Sequence, residues 1–335
     1  MAPHVLLSLL LVLVAGCSPP AAEPPVPPAH GQRAELGVYA GPGAKGVRAA
    51  GGFEGLAGAP VSRLLDFLPD DSWRAMTHAD WLIKAHQRSG RKLELSIPML
   101  PRRGGADLAT CAAGDYNDRW RTIARRLRAA RLQTATIRPG WEFNGDWYLW
   151  SAAGPGQAAS YAGCFRQLVD SMRSVSGEHR FSWTVNLGHN RLPAELGWPG
   201  EAHVDVVGVD VYDYSTQWYP APEGVSKKEA RRRVWDAQLN GDHGLRYWAQ
   251  FARDRNKPLA IPEWGLAWRS DGHAGGDNTY FLEQLGRFIN DPENGVAYAT
   301  YFNSEDTPDL KHNLLGPDTK FPQAARRFSA LIASR

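Results

Sequence analysis

The sequence predicts an α/β fold of the (β/α)8 TIM-barrel class, formed by a single domain. Eight short, mostly apolar segments alternate with segments of helical periodicity, which is the pattern of such a barrel. The chain has 335 residues, a length at which one barrel domain is common. No glycine-rich phosphate loop of the dinucleotide-binding type follows any predicted strand, and this disfavours the alternative, a doubly wound open sheet.

The elements are assigned in chain order from apolar periodicity and from the positions of glycine and proline. The eight predicted strands are 36–40, 64–68, 93–99, 134–137, 181–186, 204–212, 258–262 and 296–301. The predicted helices are 73–89, 117–132, 157–174, 245–255, 278–290 and 322–334. Residues 41–58 are rich in glycine and are assigned as a helix or a loop, and residues 213–241 are predicted to form a long insertion after the sixth strand.

The composition argues against nucleic acid as a partner and against a bound metal or cofactor. Hydrophobic residues make up 43% and charged residues 22% of the chain, as in globular proteins. The net charge of +3 is too small to argue for a nucleic-acid partner, and the arginine-rich run 119–131 is interpreted as the solvated face of an outer helix. No cluster of His and Cys has metal-ligand spacing, so neither a metal nor another cofactor is expected. The 13 tryptophans suit carbohydrate contact as well as they suit a large core.

The first 32 residues predict export rather than part of the fold. The apolar run 5–14 is too short to span a bilayer and reads as the core of a secretory signal. The residues Val14-Ala15-Gly16-Cys17 resemble a bacterial lipobox, which implies cleavage before Cys17 and a lipid on its sulfur, although no Lys or Arg precedes the run. We therefore expect a signal peptide over 1–17, a Pro-rich spacer over 18–32 and the barrel domain over 33–335, in an exported protein that is held at a bacterial membrane or cell surface by the lipid. Secretion without a lipid is the alternative.

Two cysteines remain in the barrel domain. Cys111 and Cys164 lie on either side of the fourth predicted strand, each at or within a helix. Because an exported protein folds in an oxidising compartment, we predict that they form a disulfide. Two separate buried thiols are the alternative.

The stretch 137–150, IRPGWEFNGDWYLW, is the most informative part of the chain. One carboxylate, Glu142, stands among five aromatic residues just after the fourth strand. Apolar surroundings disfavour the charged form of a carboxyl group, and a carboxyl that keeps its proton near neutral pH suits a general acid. Flat indole faces also suit the apolar faces of sugar rings. An edge cluster with a solvated Glu142 is the alternative.

Further polar residues follow the ends of the other strands. In a barrel these ends meet at one face, where the active site lies. The fifth strand ends in Asn186, the sixth in Tyr212 and the seventh in Glu263. Although 121 residues separate Glu142 from Glu263 in the sequence, the fold would bring them together across the mouth. Paired carboxylates that flank a glycosidic bond are the machinery of glycoside hydrolysis.

Three of these segments resemble glycoside hydrolase family 26, a family of clan A retaining glycosidases. IRPGWEFNGDWYLW is similar to its fourth-strand signature, VDVVGVDVYDY to its sixth strand and KPLAIPEWG to its seventh. The resemblance implies that Glu142 is the acid/base, that Glu263 is the nucleophile and that Tyr212 orients Glu263. It also implies a polysaccharide substrate, mannan most readily, since many members are endo-β-mannanases. The residues expected to bind substrate are Arg138, Trp141, Asn144, Trp147, Trp150, Asn186, Tyr212, Trp264 and Tyr301.

Two positions depart from the family pattern. Many mannanases of the family have His before the acid/base, where this chain has Trp141, and the usual tryptophan of the eighth strand is replaced, with Tyr301 or Phe302 nearest. The reaction class survives these changes, but the identity of the sugar is left open.

The sequence predicts an endo-acting β-glycosidase that is a monomer, and two alternatives to this function stay open. One is a non-catalytic glycan-binding lipoprotein on a degenerate barrel, and the other is a glycosidase that trims the cell's own exopolysaccharide.

Overall fold

Eight parallel strands close into a barrel in sequence order, so the predicted (β/α)8 fold is confirmed. The structure, a computed structural model, describes residues 33–188 and 190–333. Each barrel strand pairs with the next, and the eighth pairs with the first, where Glu35 is opposite Tyr298 and Tyr39 opposite Phe302. The strands, numbered one to eight below, are Glu35–Tyr39, Arg63–Phe67, Lys92–Ile97, Thr136–Pro139, Arg180–Asn186, Val206–Tyr212, Leu259–Gly265 and Val296–Phe302.

Helices cover the outside of the barrel between the strands. They are Gly43–Ala57, Trp73–Thr77, Asp80–Gln87, Leu108–Ala112, Asn117–Ala129, Pro155–Arg173, Lys227–Asn240, Leu245–Asp254, Thr279–Asn290 and Pro322–Ala333. The glycine-rich segment after strand one is therefore a helix, and the single helix predicted over 73–89 is two helices. The predicted insertion 213–241 ends in helix Lys227–Asn240, whose helical pattern is weak because only Ala230, Val234 and Trp235 are buried.

Side chains alternate between the barrel interior and the surrounding helices, as strand geometry requires. In strand eight, the Tyr298 hydroxyl donates to Glu94 Oε1 at 2.6 Å inside the barrel. Tyr301, three positions further along the strand, has the opposite orientation and packs outward against Phe53 and Phe328. The interior is crowded, since a Cβ on Gly37 would lie 2.4 Å from Thr300 Oγ1. Glycine is needed there so that strands one and eight can approach.

Two features fasten segments outside the barrel. Cys111 and Cys164 form a disulfide that joins helix Leu108–Ala112 to helix Pro155–Arg173. Three short strands form a separate antiparallel sheet from segments that follow strands seven and eight, in the order Glu305–Thr307, Leu310–Lys311 and Trp268–Arg269.

The expected signal peptide, Cys17 and the Pro-rich spacer lie outside the described residues, so the lipid anchor stays a prediction. Within the part of the chain that the structure describes, no helix combines the length and apolar character needed to cross a membrane. The same residues contain no group of three or more His, Cys, Asp or Glu side chains arranged to hold a metal ion.

Candidate active site

Glu142 lies three residues beyond strand four, in a turn at the barrel mouth. Its backbone has φ of +53°, a left-handed conformation that is uncommon for a residue with a side chain. The turn is held by its amide, which donates to the Thr184 carbonyl of strand five at 3.0 Å. Strained backbone of this kind concentrates at functional sites because the surrounding structure has to maintain it.

The carboxyl group of Glu142 is buried and receives two hydrogen bonds. Asn186 Nδ2 donates to Oε1 at 2.8 Å, and Trp147 Nε1 donates to Oε2 at 3.0 Å. Burial is the main cause that raises the pKa of Glu142 to about 7, and the charge of Glu263 adds to it. The two donors act in the opposite direction. The group is therefore poised to give up and to recover a proton near neutral pH.

Glu263 occupies an irregular part of strand seven, where the register shifts against both neighbouring strands. Arg138 Nη1 donates to its Oε1 at 2.7 Å, and the Tyr212 hydroxyl donates to its Oε2 at 2.7 Å. Its backbone N–H donates to Asp210 Oδ1 at 3.0 Å. The guanidinium and the hydroxyl together fix the orientation of the Glu263 carboxylate.

Arg138 organises the floor of the site and is fully buried. Besides Glu263 it donates to Ser96 Oγ at 3.1 Å and forms an ion pair with Asp210. Burial opposes its charge, yet the carboxylates of Asp210 and Glu263 raise its pKa above the usual range. Arg138 therefore fixes two carboxylates at the base of the site. Its assignment as a substrate-binding residue is wrong, because no part of it reaches the surface.

Three residues of the stretch after strand four were also predicted to bind substrate and lie behind the site instead. Asn144 is buried and exchanges two hydrogen bonds with the backbone of Asn186, at 2.8 and 2.9 Å. Trp150 is buried, and its indole N–H donates to the Trp141 carbonyl at 2.8 Å. Trp141 itself is only 5% exposed, so its face is not available as a platform for sugar. These residues hold the loop in place.

Trp264 and Tyr301 are corrected for a different reason, since both point away from the mouth. Their rings contact each other and Phe328 of the closing helix, and both are fully buried. Strand alternation places Phe302, and not Tyr301, on the inner side, where it stacks on Tyr39 with ring centroids 4.7 Å apart. Of the two residues nearest the family's eighth-strand tryptophan, Phe302 is therefore the one on the inner side.

The remaining predicted residues meet at the mouth. Glu142, Asn186 and Trp147 form one hydrogen-bonded group, while Tyr212 and Glu263 form another. Trp147 is 51% exposed and offers a large apolar face beside Glu142. The two groups interact electrostatically, since the Glu263 charge acts on Glu142. One carboxyl that holds a proton and one that is fixed as an anion are what general acid and nucleophile require.

The structure adds residues that sequence reasoning did not select. Phe67, at the end of strand two, packs edge-on against Tyr39 and Trp141. Phe67 and Phe302 each stand at the end of a barrel strand, at a position whose side chain faces inward. Strand alternation in the sequence would have identified both.

His312 carried no such signal, because it follows the short strand Leu310–Lys311. Its ring contacts Tyr212 with centroids 4.7 Å apart. Burial lowers the pKa of His312 to about 4, so the ring is neutral at neutral pH. Its Nδ1 lies 2.8 Å from the Leu266 carbonyl, which can only accept, and therefore carries the proton. Nε2, 3.0 Å from the Tyr214 hydroxyl, is then the acceptor.

Part of the chain is similar to a known family of enzymes. Residues 115–227 match the family model described as glycosyl hydrolase family 26. The chain is similar to a mannan endo-1,4-beta-mannosidase of Bifidobacterium adolescentis, with 29% identity over 199 residues that cover 56% of this chain and 18% of that protein. It is also similar to endoglucanase H of Acetivibrio thermocellus, with 24% identity over 184 residues that cover 53% of this chain and 18% of that protein.

A solved structure shares the fold over most of the chain. A double mutant of an endo-β-1,4-mannanase from Cellulomonas fimi superposes with a TM-score of 0.65 and 18% identity, over 92% of this chain and 72% of that one. At this level of identity the match supports the barrel fold. The aligned region covers less than a fifth of the length of the two curated relatives described above.

Proposed function

We propose that this chain is a member of glycosyl hydrolase family 26, and that it is a retaining β-glycoside hydrolase that cleaves within a β-linked polysaccharide, of the mannan type. The observation that carries the proposal is the pair formed by Glu142 and Glu263 at the barrel mouth. Glu142 has its pKa raised to about 7 by burial and by the charge of Glu263. Glu263 accepts hydrogen bonds from Arg138 and Tyr212, which orient its carboxylate.

The proposed reaction proceeds in two displacements. In the first, a carboxylate oxygen of Glu263 attacks the anomeric carbon while Glu142 gives its proton to the departing glycosidic oxygen. This leaves a glycosyl ester on Glu263 and an ionised Glu142. In the second, Glu142 takes a proton from water, the water oxygen attacks the anomeric carbon, and the bond to Glu263 breaks. Both carboxyl groups then return to their starting states.

Tyr212 and Arg138 support the nucleophile in this scheme without reacting. While both donors bind Glu263, its carboxylate is fixed in one orientation. Asn186 and Trp147 have the same function for Glu142. The exposed face of Trp147 stands next to the acid, where it would contact the apolar face of a sugar ring.

The choice of mannan rests on the relatives. One matched relative is named a mannan endo-1,4-beta-mannosidase, and the other is named an endoglucanase. The first name states cleavage within a β-1,4-linked mannan, and the second names a glucan-cleaving enzyme. Because the chain departs from the family pattern at Trp141 and at the end of strand eight, the identity of the hexose has to be measured.

The test is a substrate panel combined with substitutions of the two glutamates. Purified protein is incubated with mannan, glucan, xylan and exopolysaccharide, and product lengths are measured. We expect Glu263→Ala and Glu142→Ala each to lower kcat on the best substrate by at least about 100-fold, the usual scale for losing a catalytic group. Glu283→Ala, on the outer helix Thr279–Asn290, is the matched control and should retain full activity.

Activity of Glu263→Ala near the wild-type level would rule out the nucleophile. Binding of a polysaccharide without any cleavage by the wild type would instead favour a glycan-binding protein on a degenerate barrel.

Export with a lipid at Cys17 is a separate proposal. It is supported by the resemblance of Val14–Cys17 to a lipobox and by the Pro-rich spacer that follows. The full chain should partition with membranes and incorporate labelled fatty acid, and Cys17→Ser should do neither.

A further inference from the structure

A small pocket opens beside the proposed catalytic centre, on the side of strands five and six. Its volume is about 260 Å³. Ligand pockets for drug-sized molecules usually measure about 300–1,000 Å³, so this one suits a single ring. Its walls are the ends of strands five and six, the loop residues 214–218 and one face of helix Lys227–Asn240.

The pocket is continuous with the site through two shared residues. Asn186 and Tyr212 line it. The same two side chains donate to Glu142 and to Glu263, respectively. A sugar unit next to the one that reacts therefore has direct access to this pocket.

The wall is polar but has no charge available to a ligand. Asp210 lines the inner end, and its carboxylate is already bound by Arg138 and by the backbone N–H of Glu263. The other polar groups are hydroxyls and amides, among them Ser215, Gln217 and Gln238. Neutral donors and acceptors of this kind match sugar hydroxyls, and the lining contains no cation that would pair with a carboxylate or a phosphate.

Gln238 fixes the wall of the pocket next to strand six. Its Nε2 donates to the Tyr212 carbonyl at 2.7 Å. Its Oε1 is buried and accepts no hydrogen bond from any residue in the described ranges. The side-chain oxygen therefore lies beneath the pocket surface, and Gln238 contributes to the wall through an amide fixed on strand six. Trp218 adds an apolar ring to the same pocket, and Arg233 lies over that ring at 4.6 Å.

The outer wall is held in place by buried contacts. Asp213 accepts from the Tyr219 hydroxyl at 2.9 Å and from Asn278 Nδ2 at 2.7 Å, which ties the loop after strand six to the start of helix Thr279–Asn290. The far side is closed by Val234, Ala237 and Gln238 of helix Lys227–Asn240. A sugar chain that enters the pocket would meet this helix and end there.

We propose that this pocket binds a single, terminal, neutral pyranosyl unit of the polysaccharide. The proposal rests on the proposed function and adds a specificity element to it. The unit has two sources with the same chemistry: a one-sugar branch on the main chain, or the end of the main chain itself. In the first case the protein prefers branched polymers, and in the second it releases products of one short length.

The test fills the pocket without touching the catalytic residues. Ala237 is exposed and lines the far wall, so Ala237→Phe places a ring in the pocket. Lys228→Phe puts the same ring on an exposed position of the same helix, which does not line the pocket, and is the matched control. Melting temperatures show whether both variants fold.

Binding is measured first, by NMR titration with methyl β-mannopyranoside, methyl α-galactopyranoside and a methyl glucuronide. We expect wild type and Lys228→Phe to bind at least one neutral pyranoside more tightly than the glucuronide. Affinity for that pyranoside should fall at least tenfold in Ala237→Phe. Equal affinity in a folded Ala237→Phe, or preference for the glucuronide, would overturn the proposal.

Activity then identifies the source of the unit, using linear mannan and galactose-branched mannan. A branch pocket predicts that the ratio of kcat/KM on branched over linear polymer falls at least tenfold in Ala237→Phe. A chain-end pocket predicts that wild type releases one short product and that Ala237→Phe loses this product. An unchanged ratio together with unchanged products would contradict both. Should no polymer be cleaved at all, the hydrolase proposal fails, while the pyranoside titration still decides whether the pocket binds sugar.

Discussion

The indole nitrogen of Trp141 donates a hydrogen bond of 2.8 Å to the hydroxyl oxygen of Tyr148. Trp141 directly precedes Glu142, and its ring lies 5.4 Å from the guanidinium carbon of Arg138. Tyr148 stacks on Trp150 and is partly exposed at the mouth. Its hydroxyl accepts from Trp141 and keeps its own hydrogen to donate. This hydrogen bond therefore connects the buried Trp141 indole to the partly exposed Tyr148 at the barrel mouth, near Glu142.

The first prediction concerns the stability that this bond provides. Tyr148→Phe leaves the Trp141 N–H, on a 5% exposed side chain, without an acceptor. A buried unpaired donor costs about 1–3 kcal/mol, and we expect the free energy of unfolding to fall by that amount. In a Trp141→Phe background no donor is left, so the same substitution should cost less. Urea denaturation of the four proteins measures both steps.

An equal cost of Tyr148→Phe in the two backgrounds would show that the hydrogen bond contributes nothing. The activity of Tyr148→Phe reports separately on substrate contact. If the free hydroxyl hydrogen binds a sugar oxygen, kcat/KM should fall by roughly three- to tenfold, the value of one neutral hydrogen bond.

The second prediction concerns the pH profile of catalysis. Burial, together with the charge of Glu263, raises the pKa of Glu142 to about 7, so kcat/KM should decline as the pH rises through that value and the acid loses its proton. Trp147 opposes this rise because its N–H binds the carboxylate. Trp147→Phe removes the donor and should move the basic limb upward by roughly 0.5–1 pH unit.

Trp81→Phe is the control for this shift. Trp81 is 53% exposed and Trp147 is 51% exposed, so the two substitutions are comparable, and no hydrogen bond joins Trp81 to Glu142. A basic limb that stays in place or moves to lower pH in Trp147→Phe would contradict the assignment of Glu142 as the group that titrates.

The third prediction links the same pKa to folding. The folded protein raises the pKa of Glu142 from 4.5 to about 7, chiefly through burial, so between these values it binds more protons than the unfolded chain. The contribution of Glu142 to stability is therefore greatest below pH 4.5 and is lost as the pH rises to about 7, by roughly 3 kcal/mol. Glu142→Gln cannot titrate and should not show this loss.

The measurement is the difference in unfolding free energy between wild type and Glu142→Gln across pH 4–8. His179 and His312, whose pKa values burial lowers to about 4, contribute with the opposite sign. Both histidines are present in the two proteins and cancel in the difference. A difference that stays constant with pH would show that Glu142 ionises as freely in the folded protein as in the unfolded chain.

The proposed catalytic residues could be grouped from the sequence because strand ends in a barrel share one face. Glu142, Tyr212 and Glu263 are polar residues that follow apolar runs, and three such positions on separate strands have few other reasons to occur. The alternation within a strand was equally available. Applied to strand eight, it would have selected Phe302 and excluded Tyr301, whose hydroxyl donates to the His312 carbonyl behind the site.

The orientation of loop side chains could not be predicted in the same way, because loop residues follow no periodic pattern. Trp141, Trp147 and Trp150 are chemically alike in the sequence. In the structure only Trp147 is exposed, while Trp150 is enclosed by Tyr148 and Trp141. Which indole faces the substrate depends on the left-handed turn at Glu142, and tertiary contacts determine that turn. His312 also lies outside the barrel strands, so no periodic pattern in the sequence placed it at the site.

The last prediction is the stereochemistry of the reaction. Retaining enzymes place their two carboxyl groups about 5–5.5 Å apart, and inverting enzymes about 6.5–9.5 Å apart to admit a water. Glu263 is close enough to Glu142 to contribute to its raised pKa, after burial, and is oriented by Tyr212 for attack. We expect the β-anomer to be released first, followed by slow equilibration, in proton NMR spectra recorded during hydrolysis.

A variant separates the two steps of this scheme. With an aryl glycoside whose leaving group needs no proton, Glu142→Ala should complete the first displacement and stall at the second, because no base activates the water. The expected record is a burst of aryl alcohol equal to the enzyme concentration, with the sugar attached to Glu263. Release of the α-anomer first, or a steady rate without a burst and without label on Glu263, would indicate direct attack by water across a wider gap.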